Sequence, residues 1–175
     1  MKLNYRIATQ KDVELIAKLA ESIWRKYYIT FISIEQIDFM IHTMYSSESL
    51  KKQMKEGHKF TLVYNKDNPI GYISLSTKDK KNFQLNKFYI ETADHRKGVG
   101  SLLFNYILNS IPLAETIELT VNRQNYKAIN FYFKNGFVIK EVADFDIGNG
   151  FFMNDFVMVK RIKSNERSLD FNIIE

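Results

Sequence analysis

The stretch Phe88-Tyr89-Ile90-Glu91-Thr92-Ala93-Asp94-His95-Arg96-Lys97-Gly98-Val99-Gly100-Ser101-Leu102-Leu103 constrains the chain more than any other: a β-type run breaks into a basic, glycine-punctuated turn and then into an apolar helix. Glycine lets the backbone adopt left-handed conformations and approach a ligand closely. The first turn of a helix presents N–H groups without intrahelical partners, together with the positive end of the helix dipole. Such a turn is suited to cradle an anion, phosphate above all. Glycines also occur at strand-to-helix turns for steric reasons alone, so the weight comes from a second segment. That segment is Asn125-Tyr126-Lys127-Ala128-Ile129-Asn130-Phe131-Tyr132-Phe133-Lys134-Asn135-Gly136-Phe137, a short helical pattern closed by glycine and running into another strand.

Between and around these segments, helical and strand periods alternate. Residues 5–8 read as a first strand. Val13, Ile16, Ala17, Ala20, Ile23 and Trp24 then recur at helical spacing behind Thr9, a good N-cap. Ser33 followed by Gln36 has the form of a capping box opening a second helix through Met44, and Ser47 starts a third that ends near Gly57. Residues 59–64 and 70–76 flank the turn signal 65–69 and predict an antiparallel hairpin. A strand over 83–90, a helix over 98–110, a strand over 117–121, a helix over 127–135 and strands over 137–142 and 151–159 complete the order. The class is mixed α/β. One domain over 1–163 followed by a short tail over 164–175 accounts for the chain of 175 residues.

Composition removes several function classes. Cysteine is absent, which excludes disulfides, thiolate metal sites and cysteine nucleophiles. The three histidines, His42, His58 and His95, have no metal-ligand spacing, and no metal is expected. No apolar run reaches bilayer length and the N-terminus lacks a signal-peptide core, so the expectation is a soluble, cytoplasmic protein without membrane contact. A net charge of +5 raises the question of nucleic acid, but the basic residues are dispersed and no aromatic-interleaved stripe exists. A phosphate-bearing small molecule explains the cluster His95-Arg96-Lys97 better than a nucleic acid does.

Taken together, the glycine turn and the Asn125 segment resemble the GCN5-related N-acetyltransferase (GNAT) superfamily. There a Gln/Arg-x-x-Gly-x-Gly/Ala turn holds the pyrophosphate of coenzyme A, and an Asn-x-x-Ala-x-x-Phe-Tyr-x-x-x-Gly-Phe segment follows about one strand later. The resemblance extends over about residues 5–160 by element order. It implies a central, mostly antiparallel twisted sheet of about seven strands, splayed at a β-bulge and flanked by helices. It also implies acetyl-CoA as cosubstrate and direct acetyl transfer to a primary amine, a polyamine or another small amine. A homodimer is compatible with this reading. The spermidine and diamine acetyltransferase branch is suggested by the aromatic insertion 27–33. The alternative is a non-catalytic acyl-CoA-binding module that senses its ligand.

Residue by residue, the resemblance implies that the backbone of Phe88, Tyr89 and Ile90 pairs with the pantetheine arm, with the Phe88 amide as oxyanion donor. The turn His95, Arg96, Lys97, Gly98, Val99, Gly100 and Ser101 holds the pyrophosphate. His95 stands where glutamine or arginine is usual, Arg96 where glycine is common and Thr92 where proline is common, so His95 either donates to phosphate or merely occupies the turn. Tyr132 matches the tyrosine that protonates the departing thiolate; as a plain reading it is an aromatic packed on a helix. Asn125 matches a cofactor-binding asparagine and is equally an N-cap. For the acceptor, Tyr27, Tyr28 and Glu35 are the substrate-binding candidates. No base is evident, because residues 83–88 carry no acid and Glu91 reads as a solvated charge.

Overall fold

A computed structural model describes residues 3–91, 93 and 98–162. Along the chain run β1 (Leu3–Ile7), α1 (Val13–Tyr27), α2 (Ile34–Tyr45), α3 (Ser47–Lys55), β2 (Lys59–Asn65), β3 (Asn68–Thr77), β4 (Asn82–Ile90), α4 (Val99–Ser110), β5 (Thr116–Asn122), α5 (Tyr126–Lys134), β6 (Val138–Gly148) and β7 (Phe151–Arg161). The strands form one seven-stranded sheet in the order β1-β2-β3-β4-β5-β7-β6. Every neighbouring pair is antiparallel except β4 and β5. The proposed tail over 164–175 lies outside the described residues.

Two irregularities in the sheet position everything that follows. The parallel pairing of β4 with β5 holds only over Asn82, Phe83 and Gln84 against Thr116, Ile117 and Glu118, after which the strands part. On its other side β4 pairs with β3, but the register jumps from Ser74↔Lys87 to Leu75↔Leu85 and leaves Asn86 as an extra, bulged residue. Because side chains alternate with period two, one inserted residue reverses the phase. Phe83, Leu85, Phe88 and Ile90 therefore all pack on the α4–α5 face, although their spacing is not even. Tyr89, in contrast, joins the core beneath α1, α2 and α3, and Lys87 shares its phase.

The apolar stripes named from the sequence separate accordingly into two cores. Leu103, Phe104 and Ile107 of α4 with Ile129 and Tyr132 of α5 cover one face. Ile16, Ala20, Ile23 and Trp24 of α1 with Ile37 and Met40 of α2 and Leu50 of α3 cover the other.

Local capping differs in detail from the sequence expectation. Thr9 does form a capping box, but with Asp12, and it caps the short 3₁₀ turn Gln10–Asp12 ahead of α1. The reason is electrostatic: Asp12 accepts from Thr9 N at 2.8 Å and also pairs with Arg6 at 2.7 Å, so it is held back toward the strand. The Arg6 guanidinium, the leading cause, holds the Asp12 carboxyl down at about 2. Ser33 accepts from Gln36 N at 3.2 Å as expected, yet the reciprocal half of that box is missing. Gln36 Nε2 instead donates to Phe152 O at 2.8 Å, tying α2 to β7. Strand β6 extends to Gly148, beyond the expected end at Val142, because long antiparallel pairing with β7 replaces side-chain burial as the ordering force. No described helix is long and apolar enough to cross a membrane.

Candidate active site

Where β4 and β5 separate, the sheet opens into a cavity of about 450 Å³ that draws its walls from both faces. One wall comes from the two segments singled out in the sequence. Gly98 begins α4 with φ of +76°, a left-handed conformation that glycine adopts without a Cβ penalty. Gly100 serves a different end: a Cβ there would lie 3.2 Å from the Phe131 ring, so the absent side chain lets α4 and α5 approach. Gly98, Gly100 and Ser101 line the cavity, while the Val99 side chain is buried in the core. His95, Arg96 and Lys97 lie outside the described residues.

The backbone of β4 contributes to this wall through its open edge. Glu91 N donates to Ile70 O of β3 at 2.7 Å, and amides along a strand alternate in direction. Counting back three residues, with no register jump intervening, directs the Phe88 N–H away from β3 and toward the gap left by β5. Phe88, Tyr89 and Ile90 all line the cavity.

From α5 come Asn125 and Tyr132. Asn125 is buried, and its Oδ1 accepts from Ala128 N at 3.1 Å and from the Tyr27 hydroxyl at 3.0 Å. The N-cap is thus also the tie between the end of α1 and the start of α5. Tyr132 is 7% exposed, and its ring meets Phe88 edge-on at 6.4 Å and Phe137 at 5.4 Å. Burial pushes its phenol well above the usual value, which keeps it protonated at neutral pH. The turn after Tyr132 is held by a Schellman arrangement: Phe137 N donates to Tyr132 O at 3.1 Å and Gly136 N to Phe133 O at 3.0 Å, with Gly136 at φ of +82°.

Opposite stands an aromatic wall on the α1–α3 face. Trp24 stacks on Tyr28 at 4.2 Å and meets Tyr89 at 5.9 Å; Tyr45 completes the wall. Burial, first of all, raises the phenols of Tyr28, Tyr45 and Tyr89, and their mutual proximity adds to it. Of the acceptor candidates, Tyr27 and Tyr28 line the cavity. Glu35 does not: it lies exposed near the start of α2. Asp38, three residues further along α2, pairs with Arg25 at 2.7 Å. Glu91 is mostly withdrawn from solvent and receives Lys26 Nζ at 3.4 Å, so it is more than a solvated charge.

Two charged residues that the sequence reading did not single out for the site also line it. Asp155 of β7 is 6% exposed and faces the cavity beside Thr120 and Asn122 of β5. Desolvation lifts its carboxyl to about 6, against a smaller lowering by the Thr120 hydroxyl. Lys87 projects from β4 with its Nζ 5.1 Å from the Tyr45 ring and 5.7 Å from that of Phe60. Desolvation brings its ammonium down to about 8. For Asp155 the available signal was an acid within the largely apolar strand Phe151–Arg161; Lys87, in a strand that also carries Asn82, Gln84 and Asn86, had no such signal.

A family model described as an acetyltransferase (GNAT) domain matches residues 30–151. The chain belongs to the GNAT acetyltransferase family. A spermidine N(1)-acetyltransferase of Thermoplasma acidophilum is 26% identical to this acetyltransferase over 172 residues, covering 94% of this chain and all of the relative. An uncharacterized N-acetyltransferase of Mycobacterium tuberculosis is 28% identical over 134 residues, 75% of this chain and 85% of that protein. Among solved structures, the PaiA N-acetyltransferase of T. acidophilum in complex with coenzyme A superposes with a TM-score of 0.73 at 26% identity, covering 93% of this chain and 100% of the other. A GCN5-related N-acetyltransferase from Rhodopseudomonas palustris reaches 0.75 at 17% identity, covering 93% and 97%, and shares the fold. The protein is therefore an enzyme of the acyltransferase type with the splayed seven-stranded sheet that the sequence implied.

Proposed function

We propose that the protein transfers the acetyl group of acetyl-CoA directly to a primary amine within the cavity between β4 and β5. The observation that carries this reading is the meeting, in one cavity, of the open β4 edge at Phe88, the Tyr132 phenol and a desolvated carboxylate, Asp155. The residues present fit acetyl-CoA. The left-handed Gly98 and the first turn of α4 offer unpaired N–H groups for its pyrophosphate. The open edge of β4 offers strand-like backbone partners for its pantetheine arm. His95, Arg96 and Lys97 belong to the same proposed phosphate site, as do Val99 and Ser101 through their backbone.

In this scheme Asp155, with its carboxyl near 6, takes one proton from the incoming ammonium at neutral pH. The free amine nitrogen bonds to the acetyl carbonyl carbon while the Phe88 N–H donates to the carbonyl oxygen, where charge builds. As the carbon–sulfur bond breaks, Tyr132 protonates the sulfur and regains a proton from the nitrogen. One proton is released overall. Tyr27 and Tyr28 with Trp24 form the wall against which the amine is held.

The name of the T. acidophilum relative favours a second reading, a polyamine acceptor. Carboxylates would pair with the several ammonium groups of such an acceptor, and Asp155 is the single one in the described lining. Release of free CoA from acetyl-CoA with a panel of amines tests the proposal. Turnover with at least one primary amine is expected, and a protein that binds acetyl-CoA yet releases no CoA with any of them overturns it.

A further inference from the structure

Resting on that reading, we propose that Lys87 is the recognition point for a carboxylate on the acceptor, so that the acceptor is a small amino acid-like amine and not a polycation. The bulge at Asn86 is what delivers Lys87 to this wall. Without the phase reversal Lys87 would follow Phe83 and Leu85 onto the α4–α5 face, among the apolar side chains of the other core. Once there, its ammonium meets the faces of Tyr45 and Phe60 and pairs with no carboxylate among the described residues. Ring faces attract a cation, yet they do not replace the counter-charge that a desolvated ammonium needs. His58 supplies no counter-charge. Burial, then the nearby Lys87 charge, lowers its imidazole, and its Nδ1 has no hydrogen-bond partner among the described residues. An anion entering this end of the cavity would satisfy a charge that the fold leaves unbalanced.

The rest of the lining agrees. Its described charges are Lys87, Lys127 and Asp155, two positive and one negative. A spermidine molecule would place several ammonium groups against one carboxylate and two lysines. A zwitterion places its ammonium at Asp155 and its carboxylate at Lys87. Strands β4 and β7 are two positions apart in the sheet, which sets their backbones about 10 Å apart before the splay is added. Lys87 Nζ reaches toward Tyr45 and Phe60 of β2, on the side of β4 away from β7, so the span from Asp155 calls for an amine and a carboxylate separated by several carbons. The phosphates of acetyl-CoA are the other anionic source, but their proposed site starts α4, which packs on the opposite face of the sheet.

The decisive measurement compares kcat/KM for glycine, β-alanine, 4-aminobutyrate and 6-aminohexanoate with the corresponding amides, and with butylamine, putrescine and spermidine. The best ω-amino acid should exceed its own amide by about 10- to 100-fold, the range that a hydrogen bond to a charged group supplies. Lys87→Met should reduce this ratio to within about threefold, and Lys87→Arg should restore part of it, with the KM for acetyl-CoA unchanged in both. A higher kcat/KM for spermidine or putrescine, an unchanged ratio in Lys87→Met, or a loss confined to acetyl-CoA binding would each overturn the assignment. A second measurement is independent of turnover: after reductive ¹³C-methylation, the Lys87 signal, identified by its absence in Lys87→Met, should titrate at higher pH when butyrate is added. A midpoint that butyrate does not move overturns the carboxylate site even if acetyl transfer stands, whereas a moved midpoint with no CoA release for any amine leaves the anion site and removes the acetyl transfer.

Discussion

The two faces of the sheet build their halves of the cavity from different materials. On the α4–α5 side the groups that open onto the cavity are mainly backbone: the Phe88 amide, the left-handed Gly98 and the opening turn of α4. On the α1–α3 side they are side chains, several of them buried: Trp24, Tyr45, Lys87 and Asp155. Backbone recognition depends on path and tolerates substitution wherever φ permits, so it suits a ligand common to a whole family. Side-chain recognition changes with every residue, so it suits the variable partner. The cost also falls differently. The first face asks for glycine at two places, whereas the second asks for desolvated charge, which raises Asp155 to about 6 and lowers Lys87 to about 8.

That contrast can be broken most decisively at Asp155. Asp155→Asn should lower kcat/KM by about 10³-fold, since a positioned general base contributes on the order of 10²–10⁴. In the wild type, kcat/KM should rise as pH increases through about 6, where the carboxyl deprotonates, and the variant should lack that limb. Stability should move the other way. A carboxyl raised in the folded state binds its proton more tightly there, so wild-type stability is highest below the unfolded value near 4 and falls as pH rises to about 6. Removing the charge should therefore stabilise the protein at pH 7.5 by up to about 3 kcal/mol, as read by thermal melts, with little difference at pH 4. An Asp155→Asn protein as active as wild type would end its assignment as base.

Tyr132→Phe comes next, with a loss in kcat of about 10²-fold and acetyl-CoA affinity nearly intact, because only the hydroxyl is removed from a ring already fixed by Phe88 and Phe137. Steady-state kinetics with both substrates varied would show it. On the backbone side, saturating acetyl-CoA should stabilise the protein by about 2.7 kcal/mol at roughly 100 times its dissociation constant. Gly98→Val should remove most of that shift and itself cost about 1–2 kcal/mol, since φ of +76° penalises a β-branched side chain even though open space surrounds the position. Tyr27→Phe should cost about 1 kcal/mol by leaving Asn125 Oδ1 with one donor fewer. The smallest effect belongs to Glu35→Gln: exposed and away from the cavity, it should leave the KM of every amine unchanged, and a raised KM for polyamines alone would reopen the acceptor question.

Much of the fold was legible because its signals are local. The order of elements, the glycine turn ahead of α4 and the helix opened by Asn125 and closed by Gly136 each rest on residues close in sequence. The candidates Phe88, Gly98, Gly100, Asn125, Tyr132, Tyr27 and Tyr28 meet in one cavity. Glu35 stays outside it because α2 presents that position to solvent. The partial capping box at Ser33 misled in a small way for the same kind of reason: a pattern three residues long does not reveal that Gln36 will find Phe152 O, 116 positions away.

By itself the sequence determined the class of the sheet, the place of the glycine turn that opens α4 and the family, all carried by short-range spacing and backbone permissiveness. Tertiary structure alone decided which side chains share the cavity with that turn. Lys87 changes face because β4 carries one more residue than β3 opposite it, and a bulge is a property of the pair of strands, which neither strand's pattern contains. Asp155 becomes a titratable group near neutrality because β5 and β6 flank it and the α1–α3 core shields it from water. Desolvation is a sum over neighbours distant in the chain, and that sum exists only once the chain has folded.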